Sequence, residues 1–432
     1  MKNCKALLLA GLFSLVAFLP SCKKESNQQS NAVVVWHWMT DREEAFNEIT
    51  KRYKTETGKE VQFQLYAPSD LYSQKVEVGA QTNSLPEIYG ILGDSSNLAK
   101  FVEAGHVENL STQLEADQES WKNSFYPEAI NTAYFKEGNQ FNVPSGFYGI
   151  PIDVTTIPMI YNKNLFKKAG LDPETPPATW KEFLEAGKKL KAIGVNGFVS
   201  GWSETWLIYS LVTDFAHNLM GAEKVMDTFR GKVSYTDPDW ITVLKVFEDL
   251  RKANIADPGL VTLQNKNSEQ SFSSERSAIT FNGSWGVNVY SGMNASLEYA
   301  PFRPPRLGDK FPQTVWGGAG SVFYVNAKSA RKEAAVDFLK WLSQKEQASY
   351  LASATKNLPA VKDAEIKDSP VLMLFANLMK DSIHPNRFEV TEAPKVQEAL
   401  TKGIQSILIG EKTAEEIAKA VQKAKEKALK DK

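Results

Sequence analysis

The 432-residue chain carries 50 basic and 51 acidic side chains, a net charge of −1, which excludes a bulk electrostatic pull toward nucleic acid. Its only cysteines, Cys4 and Cys22, stand near the N-terminus, so the remainder has no disulfide and no thiol chemistry. It holds ten tryptophans, and several of them sit among turn residues instead of in periodic apolar patterns.

Lys2 and Lys5 open the chain, residues 6–18 are uncharged and mostly apolar, and Leu19-Pro20-Ser21-Cys22 comes next. This is the physical form of a secretory signal, and the run falls short of the about 20 residues a spanning helix needs. Residues 1–21 therefore read as a signal peptide. Residues 22–32, rich in Ser, Asn and Gln, read as a flexible tether. The chain beyond residue 32 is too long for one hydrophobic core, so two lobes are expected.

Val33-Val34-Val35-Trp36 reads as a buried parallel strand. A helix is expected over 41–57, with Phe46, Ile49 and Tyr53 on one face and Gly58 as its stop. Alternation over 60–66 gives a second strand, and strand-helix-strand is the opening of an α/β lobe. Ser69 or Asp70 can cap a helix through Val78, and residues 86–92 read as another buried strand. A strand is expected from Gly149 to Tyr161. Helices are expected after Thr179, with Glu182 completing a capping box, over 206–220, after Asp237-Pro238, over 330–342 and over 414–429. Short strands are expected at 277–281 and 321–325.

Tyr53-Lys54-Thr55-Glu56-Thr57-Gly58-Lys59-Glu60-Val61, Leu85-Pro86-Glu87-Ile88, Tyr148-Gly149-Ile150-Pro151 with Tyr161-Asn162-Lys163-Asn164-Leu165-Phe166, and Ala278-Ile279-Thr280-Phe281-Asn282-Gly283-Ser284-Trp285 occur in that order. Asn357-Leu358-Pro359-Ala360 and residues 408–416 come after them. In this order and spacing the strings resemble the extracellular solute-binding proteins of sugar importers, the group that includes the maltose-binding protein. The resemblance implies an α/β, two-lobed periplasmic-binding-protein fold (type II-like) with interlobe strand crossovers, near 150–157, 283–287 and 340–355. It implies an N-lobe of 33–152 and 287–345 and a C-lobe of 153–286 and 346–432. The residues around Cys22 resemble a lipobox, from which Pro20 departs, and this makes Cys22 the lipidation site. An exported monomer is then expected, held by lipid on the cell membrane and facing the periplasm or cell exterior. Its partners would be a carbohydrate and the transmembrane permease subunits of an ABC importer, with no catalytic residue, no cofactor and no metal.

A pyranose has apolar faces that aromatic rings cover and a rim of hydroxyls that carboxylates and amides bind. Trp38 lies just past the first strand, where ligands sit in α/β sheets, and the resemblance adds Thr40 and Asp41 in the same loop. Asp41 can instead cap the following helix, and Asp94, matching an acidic contact of the family, can instead form an Asx turn. Asp153 in an apolar strand is costly to bury unless paired or facing a cleft. Register with the relative puts Thr155 where the family has a crossover acid. Trp202 and Trp206 flank a turn near a family ring platform, one of them being structural. Trp285 matches a stacking residue. Trp316 precedes Gly317 and further glycines that allow backbone to approach a ligand or serve a hinge, and Arg387 lies in a loop sometimes used at the cleft. His37, His106, His217 and His384 lack metal-ligand spacing. The readings left open beside a sugar carrier are a binder of another small solute, an adhesin on the same fold, and a glycoside hydrolase.

Overall fold

The structure is a computed structural model that describes residues 31–430 except 367–368, 386–387 and 389. The signal peptide, most of the tether, Cys22 and Arg387 lie outside the described residues. The strands are β1 (Val33–His37), β2 (Val61–Leu65), β3 (Ile88–Tyr89), β4 (Tyr134–Phe135), β5 (Gly146–Phe147) and β6 (Gly149–Ile157). They continue as β7 (Met159–Asn162), β8 (Ile279–Phe281), β9 (Tyr299–Phe302), β10 (Val315–Val325), β11 (Leu358–Pro359) and β12 (Ser382–Ile383).

One sheet of seven strands runs β11-β6-β10-β3-β1-β2, with β12 joining the start of β10. Here β1 is parallel to β2 and β3, while β10 is antiparallel to β3 and β6. A second sheet is antiparallel, in the order β8-β7-β9. Apolar clusters pack against both sheets, and one of them joins residues of the large sheet to Ile160 of β7. Val35, Phe46, Ile49, Ile150, Phe323 and Phe338 lie on the large sheet. Leu207, Val212, Phe215, Trp240, Phe247, Ile404 and Val421 build the core of the other lobe. The fold is thus α/β and two-lobed.

The local signals behave as their chemistry requires. The first helix, Glu43–Thr57, buries Phe46, Ile49 and Tyr53 and closes at Gly58, whose φ of 71° only glycine takes without strain. Thr179 and Glu182 form the reciprocal capping box of helix Trp180–Ala192. Thr413 and Glu416 do the same for helix Ala414–Lys430. Neither Ser69 nor Asp70 caps helix Ser69–Gln81, because Pro68 occupies the N-cap and the helix begins a residue early. The helix expected over 206–220 runs as Thr205–Phe229, its path broken at Gly221 (φ 80°).

The expected long strand from Gly149 to Tyr161 is two strands. Pro158 has no N–H to give a ladder, so β6 ends in the large sheet and β7 begins in the small one. This is the first crossing between lobes. The turn at Asn282-Gly283 is not a crossing: the chain makes helix Gly286–Met293 and re-enters the small sheet as β9. It reaches the large sheet again only at β10. Helix Lys345–Thr355 and β11 also stay with the large sheet, whereas helices Pro394–Leu408 and Ala414–Lys430 bury themselves in the second core. Sheet membership therefore divides 287–432 differently from the boundaries at 287 and 346. Turn residues mark where a chain bends, not which sheet receives it.

Candidate functional site

A cavity of about 780 Å³ opens between the lobes. Of the residues singled out in the sequence, Trp38, Thr40, Asp41, Asp94, Asp153, Thr155, Trp206, Trp285 and Trp316 line it. Trp202 and Gly317 do not, and Arg387 lies outside the described residues.

The wall from the large sheet is built at the ends of β1 and β3. Trp38 leaves β1 half-buried, its ring 5.1 Å from that of Tyr72. A side chain at Gly90 would overlap the Trp38 ring, so the glycine after β3 is what lets the indole lie there. Asp41 does not cap the first helix, because Arg42 occupies that place. Its carboxylate sits 3.5 Å from Arg42 Nε and accepts from Asn357 Nδ2 at 3.3 Å. Asp94 serves two purposes. Its Oδ1 accepts the Ser96 N–H at 3.0 Å as a helix cap, and its Oδ2 accepts Gln397 Nε2 at 2.9 Å from the opposite lobe.

Asp153 is 3% exposed and forms an ion pair with Arg42, which is itself buried. Burial works against the Arg42 charge, but Asp153 and Asp41 beside it win and hold its pKa above the ordinary value. Asp153 also accepts the Ser321 N–H at 2.6 Å. Thr155 Oγ1 lies 3.0 Å from Ser284 Oγ, a hydroxyl pair where the chain crosses between lobes.

The opposite wall carries the rings. Trp206 and Trp285 stand 5.9 Å apart at 52°. The Asn282-Gly283 turn has a stated purpose here: a Cβ at Gly283 would overlap the Trp285 ring. Trp285 donates its Nε1–H to Glu269 Oε1 at 3.0 Å, which also accepts Asn265 Nδ2 at 2.9 Å and Asn282 Nδ2 at 3.0 Å. Burial raises the Glu269 carboxyl to about 7, against the pull of those donors. Glu204 accepts Asn265 N–H at 2.9 Å and Trp206 Nε1–H at 3.4 Å. Trp316 packs edge-on to Tyr209, ring centroids 5.8 Å apart, and its backbone N–H donates to buried Asp214 at 3.2 Å. Burial lifts Asp214 to about 8.

Trp202 is the structural member of its pair. It is fully buried against Phe198 and Phe247, because its place in the turn faces the second core. Gly317 is paired with Thr156 in the β6–β10 ladder, and a Cβ there would stand 2.7 Å from Thr155 O. The glycines of β10 let β6 and Asp153 approach; the expectation that Gly317 meets a ligand is corrected on that ground.

Glu269, Asn265, Tyr209, Arg42 and Gln397 were not anticipated. No sequence signal marks Glu269, a polar residue on the buried face of helix Asn265–Ser273. Glu204 was flanked by the two tryptophans, and a carboxylate between two such rings is a usable signal.

Residues 37–349 match the family described as bacterial extracellular solute-binding protein, and the chain belongs to it. The sn-glycerol-3-phosphate-binding periplasmic protein UgpB of Brucella melitensis biotype 1 is 23% identical over 407 residues, covering 88% of each chain. Among solved structures, a chitin oligosaccharide binding protein superposes with a TM-score of 0.77 at 23% identity, covering 93% of this chain and all of that one (100%). The GacH receptor of Streptomyces glaucescens, solved unliganded and with acarbose, gives 0.75 at 20% identity over 93% of this chain and 99% of its own. At these identities the likeness to solved structures carries the fold.

Proposed function

We propose that this solute-binding protein captures a mono- or oligosaccharide between its lobes and delivers it to the transmembrane subunits of an ABC importer. The observation that carries the reading is the Trp206–Trp285 pair, set at an angle and facing a wall edged by Asp41, Asp94 and Thr155. Angled rings cover the faces of a pyranose while carboxylates and hydroxyls take its rim. The solute shifts the population toward the closed form, which docks on the permease. Exported as a monomer and anchored by lipid at Cys22, the protein works at the membrane surface and hydrolyses nothing.

Glycerol phosphate, the solute in the name of the UgpB relative, is the second reading. Among the described residues the lining counts against it. Asp70, Asp94, Glu204, Glu269 and Glu398 face the cavity, while Lys266 is exposed and Arg42 is already paired with Asp153. An acid-rich wall repels a phosphate.

A thermal-shift panel of mono- and oligosaccharides with sn-glycerol-3-phosphate tests the choice, since a ligand raises the melting temperature by mass action. Stabilisation by the phosphate and by none of the sugars overturns the reading. Incubation with candidate glycosides checks the statement that nothing is hydrolysed, and reproducible bond cleavage would overturn it. Membrane fractionation of Cys22→Ser checks the anchor: retention in the membrane fraction would count against it.

A further inference from the structure

Trp206 and Trp285 turn their indole N–H groups into the protein. Trp285 gives its own to Glu269 and Trp206 gives its own to Glu204. Asn265 joins the two carboxylates, its backbone N–H on Glu204 and its side-chain amide on Glu269, both at 2.9 Å. Gly201 lies against the Asn265 backbone so closely that a Cβ would collide with it, and the Glu204 N–H donates to Gly201 O at 3.1 Å. The turn that carries Glu204 is thereby pinned to the helix that carries Glu269. Glu204 also accepts the Ser69 hydroxyl at 2.5 Å, and Ser69 opens helix Ser69–Gln81 on the large-sheet side of the cleft.

We propose that Glu269, Asn265 and Glu204 form a positioning relay: it fixes the angle between the Trp206 and Trp285 rings and, through Ser69, ties that angle to contact between the lobes. With their N–H groups committed to the protein, the rings offer a ligand only their faces and edges. The relay then confers tolerance toward the hydroxyl pattern of the sugar, leaving selectivity to the opposite wall.

The donors on Glu269 Oε1 are all neutral, from Trp285, Asn265 and Asn282. The charged or titratable groups that act on it are Asp41 and Glu204, which push its carboxyl the same way as burial does, and Tyr290 behind Asn282. The carboxyl that holds Trp285 therefore changes charge near neutral pH, at about 7.

Near-ultraviolet circular dichroism of the ligand-free protein, titrated from about pH 5.5 to 8.5 to span that value, reads the aromatic surroundings to which the ring pair contributes, and the variants isolate its share. The wild-type aromatic signal should follow a reversible titration near neutrality, of which the Glu269 step is one part. Glu269→Gln, which keeps an acceptor, should retain the wild-type signal but lose that step. Glu269→Ala should lose at least half of the signal with the far-ultraviolet spectrum unchanged, and Ser69→Ala should lose a smaller part. Asp214→Asn, the control for the other buried carboxyl beside a cavity tryptophan, should leave the Glu269 step in place. A wild-type aromatic spectrum in Glu269→Ala, or an unchanged titration in Glu269→Gln, overturns the relay. A wild-type spectrum in Ser69→Ala overturns its link to the lobes. The inference rests on the two rings as the ligand platform, but no sugar enters this measurement. Its failure would thus leave the saccharide reading standing, and failure of the sugar panel would leave the relay standing.

Discussion

The two walls of the cleft give their carboxylates different partners. On the large-sheet side, Asp153 is matched by the Arg42 guanidinium and Asp94 by a helix N-terminus. On the ring side, Glu269 meets only neutral N–H donors and Asp214 only a hydroxyl and a backbone N–H. Burial raises the carboxyl on both walls: Asp153 against the opposing pull of Arg42, and Glu269 to about 7 and Asp214 to about 8 with only neutral donors opposing it.

Removing a charge partner should break this contrast most severely. Arg42→Ala leaves Asp153 buried and unpaired, a change worth roughly 3–5 kcal/mol, and urea unfolding should show it as a lower midpoint at an unchanged slope. A loss below about 1 kcal/mol would mean that Asp153 is solvated.

The second test is pH. Glu269 has a folded pKa of about 7 against an ordinary 4.5. Both folded and unfolded states are protonated below that ordinary value, so nothing is lost there. As pH rises from 4.5 toward 7 the unfolded chain ionises first, and stability falls by roughly 3 kcal/mol before levelling off. Asp214 adds a loss of the same sign between 3.8 and about 8. Unfolding curves of Glu269→Gln across this range should be flatter than those of the wild type; parallel curves would place the cost elsewhere.

The ring wall itself is probed next. Trp285→Ala should weaken binding of the stabilising sugar by more than about 1 kcal/mol, the scale of one aromatic contact, with calorimetry as the measure. Trp202→Phe should leave that affinity within a factor of about two, because a buried core ring contributes to stability and not to the ligand. Equal losses from both substitutions would remove the distinction between platform and core. The smallest effect is expected from Asp94→Asn, since asparagine caps a helix about as well as aspartate. Only the bond to Gln397 across the cleft changes, and melting temperature should move little.

Much of the first wall was legible because it is made of local events. A residue just past a buried strand points to the mouth of an α/β sheet, which located Trp38, and the family resemblance added Asp41 and Asp94 in the segments after two such strands. Asp153 was legible for a related reason, an acid inside an apolar run. Its partner was not: Arg42, at the start of the helix after β1, stands far from it along the chain, and only the packed fold brings the pair together. The ring wall was half legible. Trp206 and Trp285 were visible as tryptophans beside turns, whereas Glu269, which holds one of them, has no periodicity or spacing to announce it.

The sequence by itself determined the α/β lobes, the helix stops and capping boxes, and the membership in a solute-binding family. These rest on interactions within a few residues, or on strings that keep their order. The tertiary structure alone decided which tryptophan of the 202–206 turn faces the cavity, where the chain crosses between sheets, and which groups each buried carboxylate meets. Those outcomes depend on which distant groups share a buried volume, and burial and pairing are properties of the packed chain.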